Sequence, residues 1–226
     1  MLSKKIHAIL KAGEKIGWII EPEAKKLLSL AGLNVPRFKW TTKLDDALEF
    51  VHSIGYPVVV KVVSPEILHK SDVGGVLVGV DSDEKLSAAF QRFSSFRGFT
   101  GMICEETVSG VELIIGAKVD NQFGPVILLG IGGTGVEIYE DTCLRMAPLQ
   151  QKEAESMIKS LKAHQLLEGY RGSEPVNVSA LTSMITTFSD LIMQLEDYIE
   201  SIDLNPVMCS SDNCVIADAR IVLHPK

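Results

Sequence analysis

The sequence predicts an α/β chain, α+β in the way its elements segregate, folded as two lobes. Three observations predict it. Segments of helical periodicity alternate with short apolar strands in the first hundred residues, strand follows strand from residue 101, and one long amphipathic stripe precedes a closing pair of strands. The chain has 226 residues, 46% of them apolar and 23% charged, enough to bury a real core and incompatible with disorder over most of its length. At about 150 residues per domain that length allows one large domain or two small lobes.

Three helices come first, marked by Ile6, Ile9 and Leu10, then Ala24, Leu27, Leu28 and Ala31, then Leu44, Ala47, Leu48 and Val51. Pro22 suits the first turn of the second helix and Gly32 its stop, after which residues 35–40 read as a short strand. A strand at residues 56–63, a polar loop, a neighbouring strand at residues 74–80 and a helix carrying Leu86, Ala89, Phe90 and Phe93 complete a lobe of residues 15–100. Residues 101–226 make the larger lobe. Its strands are expected at 102–106, 111–119, 124–131, 135–139 and 143–147, in a mostly antiparallel sheet. Asn177 is a good N-cap for the longest helix, whose stripe runs from Val178 through Leu181, Ile185, Phe188, Ile192 and Leu195 to Ile199. Strands at 201–207 and 215–223 then close the chain around Ser210, Ser211, Asp212 and Asn213.

Composition also excludes functions. The longest apolar runs are strand-sized, far short of the roughly 18 residues of a membrane span, and the start lacks the continuous apolar segment of a secretory leader. No membrane association and a cytoplasmic location are expected. The net charge of −7 and a pI near 5.3 come without the clustered Lys and Arg that a nucleic acid rewards, so no nucleic acid is expected as partner. Cys104, Cys143, Cys209 and Cys214 show no CxxC spacing and read as free, mostly buried thiols.

Four features carry candidate chemistry. Lys61 lies within an all-valine strand, so it either reaches an exposed edge or meets an anion that offsets its desolvation. In the closing hairpin, a loop centred between Ser211 and Asp212 sets Asn205 opposite Asp218 and Asp203 opposite Arg220, all on one face. Hard oxygen donors in that number suit Mg²⁺, which takes one or two protein carboxylates and completes its shell with water and substrate phosphate. An Asp–Arg surface pair beside a turn is the alternative, and a bulge at Pro206 would slip the register. The glycine-rich residues 130–135, with Gly132 and Gly133 at their centre, are either a plain hairpin turn or a turn whose N–H groups approach phosphate oxygens. His69, in the loop LHKSDVGG, is either an idle surface imidazole or a phosphoryl-carrying nucleophile.

Read together, YPVVVKVVSPEILHKSDVGGV, GVELIIGAKVDNQFGPVILLGIGGTGVE, and SIDLNPV with VIADARIV resemble the ATP-grasp fold, two lobes with a nucleotide held between them. More closely, they resemble the ATP-grasp subunit of the NDP-forming acyl-CoA synthetases, with the ADP-forming acetyl-CoA synthetases as the best match. The resemblance covers residues 15–225. It implies a ligase of the acid–thiol class that converts acyl-CoA, ADP and phosphate to free acid, ATP and CoA through phosphohistidine carriers. It implies Mg²⁺ as cofactor and ATP or ADP as substrate. A CoA-binding α subunit with its own phosphohistidine would be the partner, in an α₂β₂ heterotetramer, because no CoA-binding Rossmann domain is visible in this chain.

The same resemblance places a phosphohistidine at His69, Lys61 on the nucleotide phosphates, and Asn205 with Asp218 on Mg²⁺, supported by Asp203. Glu106 and the backbone of Val108 would meet the adenine, Glu112 the ribose, and Arg145 a phosphate covered by the glycine loop. Cys104 and Glu105 depart from the pattern, standing where such chains more often have an apolar residue and a glutamine. Two other readings remain open: an ATP-grasp ligase that works without a phosphohistidine, and a nucleotide-sensing subunit without catalysis.

Overall fold

The computed structural model describes residues 2–67, 69–133, 141–172 and 174–225. The chain forms two units, one of Met1–Val35 with Ser109–Lys226 and the other of Pro36–Val108. This differs from the contiguous division expected at residue 100, because the N-terminal helices join the C-terminal unit. The reason is a strand too short to read in sequence: β1 (Trp18–Ile19) pairs antiparallel with β11 (Ala219–Leu223), Trp18 against Val222 and Ile19 against Ile221.

The larger unit is built on β6 (Val111–Asp120), β7 (Gly124–Ile131), β8 (Thr142–Met146), β9 (Ile199–Cys209) and β10 (Cys214–Ile216), together with β1 and β11. Its described strands form one antiparallel sheet in the order β1-β11-β9-β6-β7-β8, with β10 also paired to β9. Helices α1 (Lys4–Gly13), α2 (Glu21–Leu30), α5 (Gln151–Ser160) and α6 (Val178–Leu195) share one core with it, centred on residues such as Leu27, Ile115, Ile127, Ile185, Phe188 and Ile202. Helix starts follow local chemistry: Ser3 and Asn177 accept from the N–H groups of Ile6 and Ala180, and Gln150 with Glu153 forms a capping box. The helix α5 is an addition to the expected list. The long helix is shorter than expected, since Ile199 begins β9 rather than ending α6.

The smaller unit has a four-stranded antiparallel sheet, β2 (Phe38–Thr41), β5 (Gly101–Glu106), β3 (Val58–Val63) and β4 (Val76–Val80), in that order. Its helices α3 (Leu44–Ile54) and α4 (Asp83–Ser94) cover one face, burying Ala47, Val51, Leu86 and Phe93 against Val58, Val60, Val62, Met102 and Cys104. Strand alternation therefore leaves Val59, Lys61, Ile103 and Glu105 on the other face.

Cys209 and Cys214 are not free thiols. They stand opposite each other where β10 pairs with β9, their Cα atoms 4.2 Å apart, and form a disulfide. Cys104 and Cys143 are free and buried, as expected. The strand expected at 135–139 lies outside the described residues, as do Thr134 and Gly135 of the glycine loop. Among the described residues, no helix is long and apolar enough to cross a membrane.

Candidate functional site

In the smaller unit, Lys61 sits on β3 between two paired neighbours, opposite Val76 on β4 and Ile103 on β5. It is 4% exposed, so of the two expected situations it has the second: its ammonium meets an anion. That anion is Glu105, itself 2% exposed, whose Oε1 lies 2.8 Å from Lys61 Nζ. Because Val59 is the residue directly opposite Glu105, Lys61 and Glu105 are diagonal neighbours on one face, a separation that two long side chains bridge. Burial pushes the adjacent Cys104 thiol up to about 12, and the Glu105 charge adds to the shift.

The loop after β3 carries His69 as an exposed side chain between two anchored stretches. Before it, Ser64 donates to the Arg97 carbonyl (2.8 Å) and accepts from the Glu66 N–H (3.1 Å), while Glu66 pairs with Arg97. After it, the Gly75 N–H donates to the Lys70 carbonyl at 2.7 Å and the Gly74 N–H to the Ser71 carbonyl at 3.0 Å. A side chain on Gly75 would come within 2.6 Å of Val62 Cγ1 and 3.0 Å of the Lys70 oxygen, so this turn needs glycine. Leu68 lies outside the described residues.

At the end of β5, Glu106 is held by Arg37. The Arg37 backbone N–H donates to Glu106 Oε1 at 2.9 Å and its Nε to Oε2 at 2.6 Å. Both carboxylate oxygens are thus engaged within the unit. Val108 follows as the last residue of the smaller unit, half-buried, after Thr107 donates to the Pro57 carbonyl.

In the larger unit the hairpin register is as expected. Arg220 pairs with Asp203, Ile216 with Val207 and Cys214 with Cys209, with no slip between them. The Asn205 N–H donates to the Asp218 carbonyl at 3.3 Å, which sets those two residues side by side. A bulge does fall at Asn205 and Pro206, but it is taken up on the other edge of β9, between Leu113 and Ile115 of β6. Arg220 Nη2 lies 3.7 Å from Asp203 Oδ2. Burial holds the Asp203 carboxyl above the ordinary carboxylate range; Arg220 opposes the shift, and the Asp218 charge adds to it.

Asp203, Asn205 and Asp218 therefore offer two carboxylates and an amide oxygen, with a carboxylate whose ionisation the protein alone does not fully stabilise. This is the donor chemistry of a Mg²⁺ site, and a cation there would relieve the repulsion. Among the described residues, no group of three or more His, Cys, Asp or Glu side chains converges for a metal.

Glu112 lies on β6 opposite Met208, and its carbonyl accepts from the Gly132 N–H at 2.6 Å. A side chain on Gly132 would come within 2.8 Å of the Glu112 backbone, and one on Gly133 within 3.5 Å of Glu112 Oε2. The start of the glycine loop is thus fitted against Glu112. Arg145 is not brought to the Asp203 face. It opposes Ile127, in the row of Ala117 and Ile202 on the helix-packed face, whereas Asp203 lies in the row of Gly116, Leu128 and Leu144. Its Nη1 donates to the Leu144 carbonyl.

Sequence reasoning overlooked the role of Glu105 as partner of Lys61 and of Arg37 as partner of Glu106. The signal for the first was present: a buried cation requires an anion, and Glu105 is a charge inside β5 that follows the buried residues Gly101 to Cys104.

An ATP-grasp domain matches residues 10–223, and the chain belongs to the ATP-grasp family. Within that family its relatives include ADP-forming acetate–CoA ligases. Acetate–CoA ligase [ADP-forming] I subunit beta of Pyrococcus furiosus is 38% identical over 230 residues, covering 98% of this chain and 99% of the relative. The II subunit beta of the same organism is 39% identical, covering 97% of each. Among solved structures, the dinucleotide-forming acetyl-coenzyme A synthetase 1 of Ca. Korarchaeum cryptofilum aligns with a TM-score of 0.86 at 38% identity, over 97% of this chain and 100% of that one. That structure holds coenzyme A and Mg-AMPPCP, with its phosphohistidine segment pointing towards the nucleotide binding site.

Proposed function

We propose that this chain is the nucleotide-binding β subunit of an ADP-forming acyl-CoA synthetase, acting on acetyl-CoA, that moves a phosphoryl group between a phosphohistidine and ADP or ATP. The overall reaction is acyl-CoA, ADP and phosphate to acid, ATP and CoA. The observation that carries this reading is the strand–loop unit of β3 and its following turn, which combines a buried cation at Lys61 with an exposed imidazole at His69.

In the ATP-consuming direction, a ring nitrogen of neutral His69 attacks the γ-phosphorus. The bond from phosphorus to the bridging oxygen breaks, ADP leaves with the electron pair, and the imidazole releases its other ring proton to solvent. The reverse step rebuilds ATP from phosphohistidine and ADP. Lys61 neutralises the nucleotide phosphates, Glu106 and Val108 meet the base, Glu112 the ribose, and Gly133 offers its backbone N–H to phosphate oxygens while Gly132, its own N–H held by the Glu112 carbonyl, sets the start of that turn. Mg²⁺ would be held by Asp203, Asn205 and Asp218, adding positive charge for the phosphates. Arg145 serves the phosphates less directly than the sequence implied, given its face of β8. The partner is a CoA-binding α subunit bearing its own phosphohistidine, in an α₂β₂ assembly of the cytoplasm.

The test is protein labelling. Wild type incubated with Mg²⁺ and γ-labelled ATP is expected to gain acid-labile, base-stable label, and His69→Ala to gain none while melting at the wild-type temperature, since the side chain is exposed. Equal label in both variants rules out His69; an unlabelled wild type, even with its CoA-binding subunit, rules out the phosphorelay.

A further inference from the structure

Helices α5 and α6 of the larger unit line a cavity of about 440 Å³ that shares no residue with those assigned to nucleotide or Mg²⁺. We propose that it binds a small monocarboxylate with an apolar body. Ile158 and Leu167, both buried, give the cavity an apolar floor. Thr182 shares that lining at 5% exposure, and its Oγ1 is a buried oxygen without a hydrogen-bond partner, a state that folded proteins rarely leave unmet. A carboxylate supplies the acceptor this hydroxyl lacks. Lys159 lines the cavity as well, and the residue that should pair with it by helical spacing, Glu155, is held by Gln151 instead, whose Nε2 donates to Glu155 Oε1 at 2.9 Å. Among the described residues Lys159 forms no ion pair. Val178 and Ser179 open the 18-residue α6 and belong to the same lining; Asn177 takes the Ala180 N–H, which leaves theirs at the positive end of the helix. Glu155 and Glu168 also face this space, so one lysine and a helix end suit a single negative charge better than the double charge of phosphate. The volume falls within the roughly 300–1,000 Å³ of small-molecule sites, more than a bare ion fills, and Ile158 with Leu167 receives the apolar remainder.

The test titrates hydrocinnamate into the full chain without nucleotide, followed by amide chemical shifts beside a thermal melt, with hydrocinnamide and inorganic phosphate as controls. Hydrocinnamate is expected to bind with a Kd of about 1 mM or tighter, shifting Leu167, Ser179 and Thr182, and both controls to bind at least about tenfold more weakly. Thr182→Val keeps the shape without the hydroxyl; it is expected to melt at or above wild type and to bind hydrocinnamate about tenfold more weakly. Lys159→Gln, on an exposed side chain, is expected to melt as wild type with a similar loss, and Lys152→Gln, on α5 outside the lining, to bind as wild type. Absence of binding to wild type overturns the proposal, as does wild-type affinity in Thr182→Val or Lys159→Gln. Hydrocinnamide binding as tightly as the acid removes the anion, phosphate binding as tightly removes the apolar body, and an equal loss in Lys152→Gln marks a general charge effect; each overturns it. Thr182→Val that melts below wild type shows a hydroxyl already satisfied and overturns it too.

Discussion

Lys61 and Asp203 are both charged groups in partly dry surroundings, yet they respond differently to loss of charge. Lys61 is paired, so Lys61→Met removes the cation that lies 2.8 Å from the buried Glu105 carboxylate. That variant is expected to lose about 3–5 kcal/mol in denaturant titration, and adding Glu105→Gln to recover most of it. Asp203 is raised by burial and only partly relieved by Arg220. A carboxyl whose folded value is raised contributes stability that is fully present below its unfolded value, about 3.9, and is lost as pH rises through the folded value. Asp203→Asn, which mimics the neutral form, is therefore expected to melt above wild type at neutral pH, with the difference vanishing below about pH 4. The same substitution is expected to weaken Mg²⁺ binding in calorimetry, because it removes one of two carboxylates; stabilisation without loss of Mg²⁺ affinity would take Asp203 out of the site.

The closing hairpin and the long helix hold each other in place. Asn177 accepts from the Ala180 N–H to start α6, while its own N–H donates to the Ser210 carbonyl and its Nδ2 to the Asp212 carbonyl. Asn177→Ala is expected to lose about 1 kcal/mol from the cap alone, and amide exchange at residues 210–213 to accelerate with it. The hairpin was legible in sequence because its strands are joined by a short turn, so register followed from the loop and put Asp203 against Arg220 as found. Pro206 left that register intact because its bulge was absorbed by β6, a pairing the local sequence does not reveal. The Lys61–Glu105 contact was hidden for the same reason, since it depends on β3 lying beside β5 rather than on anything near Lys61. Ile199 continued the helical stripe by spacing, but the strand β9 and the helix α6 feed one core, so its burial did not distinguish them. The overlooked α5 has only Ala154, Met157 and Ile158 buried among charged neighbours; its capping box was the stronger signal.

At the scale of the whole molecule, the smaller unit is contiguous and has its own core, whereas the larger is assembled from both ends of the chain. Residues 36–108 expressed alone are expected to keep the four-stranded sheet, seen as slow amide exchange at Val60, Val62 and Cys104; a flat, unprotected spectrum would show that the unit depends on the rest. The two-lobe class and most elements were readable from periodicity and motif. The division was not, because it rests on the two residues of β1, too few to carry a pattern.

That pairing of β1 with β11 has a consequence for how the polypeptide is made. Trp18 and Ile19 leave the ribosome well before Val222 and Ile221, their partners. At about 5–20 residues per second the first strand waits roughly 10 to 40 s for its neighbour, while the smaller unit has every residue it needs well before then. During that interval Ile9, Leu10, Leu27 and Leu28 lack the sheet that buries them, so the nascent chain is the stage at which this protein is most open to chaperone capture.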